Sequence, residues 1–224
     1  MRLIKSLFAP IGIMAASAAV AAPATGHVAA AACTSCHGID GAGNAQGGIP
    51  ALAQLPQKYF TKQIADFRSG SRTSAKDLSS EDVHTAAGYY VSFMKSIAKA
   101  LSDEDAEAAA RYYANLPALK TTPQPGAVDP AVLARGKELA INGAWDRQVP
   151  PCFKCHAVGG LGVAPNFPPI AGQHASYTVN QLQAWKTGAR TNDPQKLMKT
   201  TAENLTDDEI RAVAEYLATL ELRR

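Results

Sequence analysis

All four cysteines of this 224-residue chain fall in two pentapeptides, Cys33-Thr-Ser-Cys36-His37 and Cys152-Phe-Lys-Cys155-His156, and none is left over. No other feature limits the fold as tightly. Two thiols separated by two residues and followed at once by an imidazole form the attachment sequence for c-type haem: the sulfurs bond to the vinyl groups, and the histidine ligates iron. The spacing carries the reading, because two intervening residues set both sulfurs along one porphyrin edge and the adjacent histidine reaches beneath the ring. Rival uses of these residues fit less well. One zinc site made from both pairs would leave the histidines without a role. A thioredoxin-like pair needs a βαβ setting, and no strand-period pattern is visible. Exported cysteines also form disulfides, but that leaves the recurring pentapeptide unexplained. The cofactor expectation is therefore two covalently bound haem c groups, on Cys33 and Cys36 and on Cys152 and Cys155.

The pentapeptides open two copies of one module. Tyr59, Gln63, Phe67, Gly70 and Arg72 recur as Tyr177, Gln181, Trp185, Gly188 and Arg190, at a constant offset of 118 residues. Met94 and Leu101 recur as Met198 and Leu205 at an offset of 104, so the first copy carries 118 − 104 = 14 extra residues within Thr73–Phe93. Ser102-Asp-Glu-Asp105 and Thr206-Asp-Asp-Glu209 read as capping boxes that open the closing helices. Those helices continue to about Leu116 and Leu220. Ile210, Val213, Ala214, Leu217 and Leu220 keep a helical apolar stripe, mirrored by Ala106, Ala109, Ala110, Tyr113 and Leu116. The expected architecture is all-α, with an N-terminal domain over 23–120, a Pro- and Gly-rich linker over 121–130 and a C-terminal domain over 131–224. Ten linker residues reach about 30 Å at most, so the domains stay neighbours.

Residues 1–22 read as a signal peptide, with basic Arg2 and Lys5, an apolar run from Leu7 to Val20 and the small residues Ala19-Val20-Ala21. An uncleaved anchor is the alternative, but the run is short for a span and Pro10 interrupts it. The expected location is the periplasm. Formal net charge is +3, with 46% hydrophobic and 18% charged residues, which describes a globular chain and lacks the clustered basic residues of a nucleic-acid binder.

Met94 and Met198 are the only methionines beyond the leader. With His37 and His156 on one side of each iron, a thioether on the other would complete the coordination and raise the potential. The competing role for each methionine is gap-filling in a core, and Met94 does lie on an apolar stripe running from Val83 to Ala98. His27, His84 and His174 are the imidazole competitors for the same position. Arg72 and Arg190 read either as partners of haem propionates or as cations at helix C-termini. Tyr59 and Tyr177 read as packing residues, with donation to propionates the alternative. Phe67 and Trp185 read as haem-pocket walls.

Together, CTSCH and CFKCH, the loops IPALA and FPPIAGQHASY, QIADFRSGSR and QLQAWKTGAR, and the methionine segments resemble the di-haem cytochrome c4 family over nearly the whole chain after the leader. The resemblance implies two cytochrome c folds related by a pseudo-twofold axis, with propionates facing across the interface. It also implies that backbone carbonyls at Pro50 and Pro168 accept the second N–H of the proximal histidines. Three departures stand out: a short segment before Cys33, the insertion Asn142–Pro151, and the insertion before Met94. The implied function is electron transport between a quinol-oxidising complex or dehydrogenase and a terminal oxidase or reductase. Its partners would be periplasmic redox proteins, membrane complexes included, with no nucleic acid and no small-molecule substrate at iron. The alternatives are a di-haem oxidoreductase, such as a thiosulfate dehydrogenase or peroxidase, and the cytochrome subunit of a dehydrogenase complex.

Overall fold

The computed structural model describes residues 30–72, 86–119 and 128–222, with the backbone alone for 86–92. The leader, His27, His84, most of the first insertion and most of the linker lie outside the described residues. The first domain contains α1 (Ala31–His37), α2 (Gln57–Ser69), α3 (Ala86–Ala100) and α4 (Asp103–Ala114). The second contains α5 (Pro130–Ile141), α6 (Cys152–Cys155), α7 (Ala175–Lys186), α8 (Leu197–Glu203) and α9 (Asp207–Ala218). Among the described residues there is no β-strand, only three isolated bridges. This is the all-α, two-domain architecture that the repeat implied.

The closing helices form where their caps and stripes require. In α9, Ile210, Val213, Ala214 and Leu217 are buried, and each large aliphatic among them contributes about 1.5–3 kcal/mol by leaving water. Thr206 and Glu209 make the full capping box, each side chain taking the other's backbone amide. The first copy differs. Ser102 accepts from the Asp105 amide, but the Asp105 carboxylate takes the Ser102 hydroxyl at 2.7 Å. Aspartate is one methylene shorter than glutamate, so it meets the nearer hydroxyl.

Helix α5 crosses α9 at Gly136. A Cβ there would lie 2.0 Å from the Ala212 carbonyl oxygen, so only glycine permits this approach. Pro130 is the first residue of α5, with Asp129 accepting from the Ala131 amide. Asn142–Pro151 is an ordered turn. Ala144 and Val149 exchange both backbone hydrogen bonds at 2.7 and 3.0 Å. Arg147 then fastens the turn to α9 through both carboxylate oxygens of Glu209. The described end of the first insertion is helical, which places Met94 inside the long α3, whereas Met198 lies in the first turn of the short α8.

Candidate haem sites and the bridge between them

Each pentapeptide ends in a buried histidine whose Nδ1 faces a carbonyl oxygen. His37 Nδ1 lies 2.9 Å from Pro50 O, and His156 Nδ1 lies 2.7 Å from Pro168 O. A carbonyl only accepts, so Nδ1 carries the proton and Nε2 keeps its lone pair for a metal. Burial lowers both imidazole pKa values, partly opposed by these bonds, which keeps the rings neutral. The proline loops reach the histidines because the chain folds back tightly after each pentapeptide. Gly43 and Gly162 donate to the carbonyls of His37 and His156 at 2.9 and 2.7 Å. Both have positive φ, and a Cβ on either would come within about 2.5 Å of the proline-loop backbone, so glycine is required there.

Burial raises the thiol pKa of Cys33, and that of Cys152 to about 11. Such thiols are poor redox nucleophiles, which disfavours a thioredoxin-like role. Nor do three or more His, Cys, Asp or Glu side chains converge into a metal cluster among the described residues. Each site instead combines two cysteines, one neutral imidazole and one methionine. Cys33, Cys36, His37, Met94, Cys152, Cys155, His156 and Met198 all line a single cavity of about 1210 Å³ that runs through both domains. That exceeds the roughly 300–1,000 Å³ of a pocket for one small molecule. Met198 is placed by Asp193, whose Oδ2 accepts from the Met198 and Lys199 amides at 2.6 and 3.2 Å. Phe67 and Trp185 wall the cavity, as expected.

Arg72 and Arg190 each follow the C-terminal end of a helix, α2 and α7, and take on a further role. Each backbone amide turns back onto its own helix, at Asp66 O and Ala184 O, both at 2.9 Å. Each guanidinium then stacks on the helix aromatic, Arg72 at 4.5 Å from the Phe67 centroid and Arg190 at 4.4 Å from the Trp185 centroid. Beyond that, each crosses the interface. Arg72 donates to Gln63 Oε1 of its own domain at 3.0 Å, and to Tyr177 Oη and Gln181 Oε1 of the other at 2.8 and 3.2 Å. Arg190 donates to Gln181 Oε1 at 2.7 Å, and to Tyr59 Oη and Gln63 Oε1 at 3.4 and 3.2 Å. The pattern has the expected pseudo-twofold form. Tyr59 and Tyr177, read as packing residues, also act as hydrogen-bond acceptors.

These two guanidiniums are buried side by side, and no ion pair within 4.0 Å joins either to a carboxylate among the described residues. Burial, and the Arg72 charge beside it, lower the Arg190 pKa. Two adjacent cations in a low-dielectric wall suit anionic groups in the cavity. The propionates of haem groups held by the paired cysteines would be anions of that kind.

Several further ties were not legible in the sequence. Gln173 accepts from the Ala51 amide and donates to its carbonyl, at 3.0 and 3.1 Å. His174, a competitor ligand, donates from Nε2 to Ala42 O at 2.7 Å. Ser176 donates to Ala45 O at 2.7 Å. Only the recurrence of Gln63 and Gln181 signalled any of this in advance, and it did not say that they face each other.

A family model described as cytochrome c matches residues 23–117 and 133–221. The chain is 39% identical over 207 residues to the thiosulfate dehydrogenase electron acceptor of Thiomonas intermedia, covering 88% of this chain and 84% of that one. It is 32% identical to cytochrome c4 of Pseudomonas aeruginosa over 224 residues, covering 96% and 97%. Among solved structures, the as-isolated thiosulfate dehydrogenase (TsdBA) of Marichromatium purpuratum superposes with a TM-score of 0.71 at 38% identity. That match covers 85% of this chain and spans about a third, 36%, of the other. With two donor sets in two cytochrome c folds and cytochrome c4 relatives along almost its full length, the chain belongs to the cytochrome c4 family: a di-haem electron-transfer protein with two covalently bound haem c groups.

Proposed function

We propose that this protein is a periplasmic electron acceptor for a thiosulfate-oxidising dehydrogenase, passing the electrons on to a respiratory reductase or oxidase. In this reading His37 and Met94 would hold the first iron, and His156 and Met198 the second. The observation that carries it is the single cavity: two complete donor sets open into one space across a hydrogen-bonded domain interface. The name of the Thiomonas intermedia relative supports the choice of donor. Export follows from the reading of residues 1–22.

Haem c supplies the one-electron couple. The protein's own residues set its conditions. Pro50 O and Pro168 O fix the imidazole tautomer, which strengthens histidine donation. Met94 and Met198 would supply soft thioethers, donors that suit both oxidation states of the iron. Arg72 and Arg190 place buried positive charge beside the cavity, which favours the reduced state. No cysteine remains outside the pentapeptides to serve as an axial thiolate of the kind an oxidoreductase would use.

The test is stopped-flow mixing of the oxidised holoprotein with thiosulfate dehydrogenase and thiosulfate, beside a quinol-oxidising complex. Reduction by the first at a rate that rises with dehydrogenase concentration is expected. Reduction only by the quinol-oxidising complex would replace the donor. Thiosulfate oxidation by the chain alone would replace the carrier reading with an enzyme.

A further inference from the structure

The two methionine-bearing helices are anchored from opposite ends. Met198 stands in the first turn of the seven-residue α8, where Asp193 accepts from its amide. Met94 stands in the second half of the 15-residue α3, one turn before the buried Ala98. The far end of α3 is held by Arg68, in the last turn of α2. Arg68 Nε donates to Ala98 O at 2.7 Å and Nη2 to Leu101 O at 2.6 Å, while Nη1 binds the Asp103 carboxylate at the start of α4. All three guanidinium nitrogens converge on the α3–α4 junction.

The second domain repeats this contact in reduced form. Lys186, 118 residues after Arg68, donates to Leu205 O and to Asp207 Oδ1, both at 2.8 Å. Leu205 and Asp207 stand 104 residues after Leu101 and Asp103. Ala202, the counterpart of Ala98, accepts instead from the backbone amide of Asn204.

The last carbonyls of a helix have no intrahelical partner, and a cation there also complements the helix dipole. A guanidinium adds a rigid planar fork, which fixes direction as well as distance. Among the described residues α3 packs on α2. Apolar packing of that kind is non-directional, so it resists separation of the helices more than sliding along the axis. The fork supplies the missing restraint. Ala98 is four residues from Met94, about 6 Å along the helix, and one hydrogen-bonded turn transmits a displacement at Ala98 to the methionine.

We propose that Arg68 is a positioning residue for Met94, fixing α3 along its axis so that the thioether is held at the first iron. The proposal rests on the reading of Met94 as an axial ligand. An arginine that merely caps α3 would occupy the same place, so the test must separate ligation from stability.

The experiment counts thioether-to-iron charge-transfer signatures in the oxidised holoprotein by magnetic circular dichroism, and follows carbon monoxide uptake by the reduced one. Two signatures in the wild type uphold the ligand reading; a single one would remove it and the proposal with it. In Arg68→Leu one signature should weaken, and the first site should take up carbon monoxide roughly tenfold more readily, while the second stays closed. Arg68→Lys keeps the charge but not the fork, so it should fall between wild type and Arg68→Leu. Ala109→Gly, on the buried face of α4 and more than a turn beyond Asp103, should lower the melting temperature and leave both signatures intact. A wild-type signature and wild-type carbon monoxide uptake in Arg68→Leu, beside a lowered melting temperature, would overturn the proposal and leave the ligand reading standing. If the leucine variant does not fold, the same result in Arg68→Lys overturns it. Equal weakening in Arg68→Leu and Ala109→Gly would do so too, because the arginine would then act through stability alone.

Discussion

Arg72 and Arg190, which come from different domains, donate to the same oxygen: Oε1 of Gln63 accepts from Arg72 Nη1 at 3.0 Å and from Arg190 Nη2 at 3.2 Å. The domains therefore share two buried charges. An interface of this kind restricts the relative motion that tethered domains otherwise show.

Replacing Arg72 with Leu removes a buried cation together with its bonds to Gln63, Tyr177 and Gln181. Gln63 and Gln181 keep their bonds from Arg190, so Tyr177 loses its partner, and we expect a loss of roughly 1–3 kcal/mol, read as an earlier guanidinium midpoint. Both haem potentials should fall, because positive charge leaves the cavity wall. A variant with unchanged potentials would show that the arginine only packs.

Glu209 is held by Arg147, by Arg135 at 2.5 Å and by the Thr206 amide at 3.0 Å. The Arg147 bonds, aided by Thr206 and Arg135 and opposed by burial, draw its pKa down to about 2. In the unfolded chain it titrates near 4.3. A depressed carboxylate stabilises the fold above its unfolded pKa, and that contribution disappears as the pH falls through the folded value. Glu209→Gln should therefore cost roughly 1–3 kcal/mol at neutral pH. The gap from wild type should narrow from about pH 4.5 downward and close near pH 2. Denaturation at a series of pH values checks this, and a gap that does not change with pH would contradict it.

Gly136→Ala sets a methyl group against the Ala212 carbonyl at the α5–α9 crossing, where an ideal Cβ would approach to 2.0 Å. Overpacking of this severity should cost about 3 kcal/mol or more. The second domain should melt first, followed by the loss of haem-band intensity from that site alone. Simultaneous melting of both domains would mean that the interface transmits the damage.

Met94→Ala and Met198→Ala test the axial assignment. Each should remove one of two thioether-to-iron charge-transfer signatures in magnetic circular dichroism and open one site to carbon monoxide. If the holoprotein shows a single signature, and the Met94 variant leaves it unchanged and stays closed, another side chain, His84 foremost, ligates the first iron.

Much of the molecule could be read from the chain alone. Cofactor number followed from Cys33, Cys36, Cys152 and Cys155, and the closing helices from their caps and the 3.6-residue stripe. Candidate ligands followed from a methionine recurring seven residues before Leu101 and Leu205. These are short-range relationships, set by bond geometry and helical period, so they are written locally. Tertiary structure alone decided what Arg72 and Arg190 touch, that Asp66 meets Asn192, and that Gly136 marks a crossing. The long-range contacts among them join residues from 76 positions apart, for Gly136 and Ala212, to 131, for Tyr59 and Arg190. No local pattern specifies such partners. The contacts between domains exist because two similar domains bury the same face against each other, and there every polar group must find whatever partner the packing brings within reach.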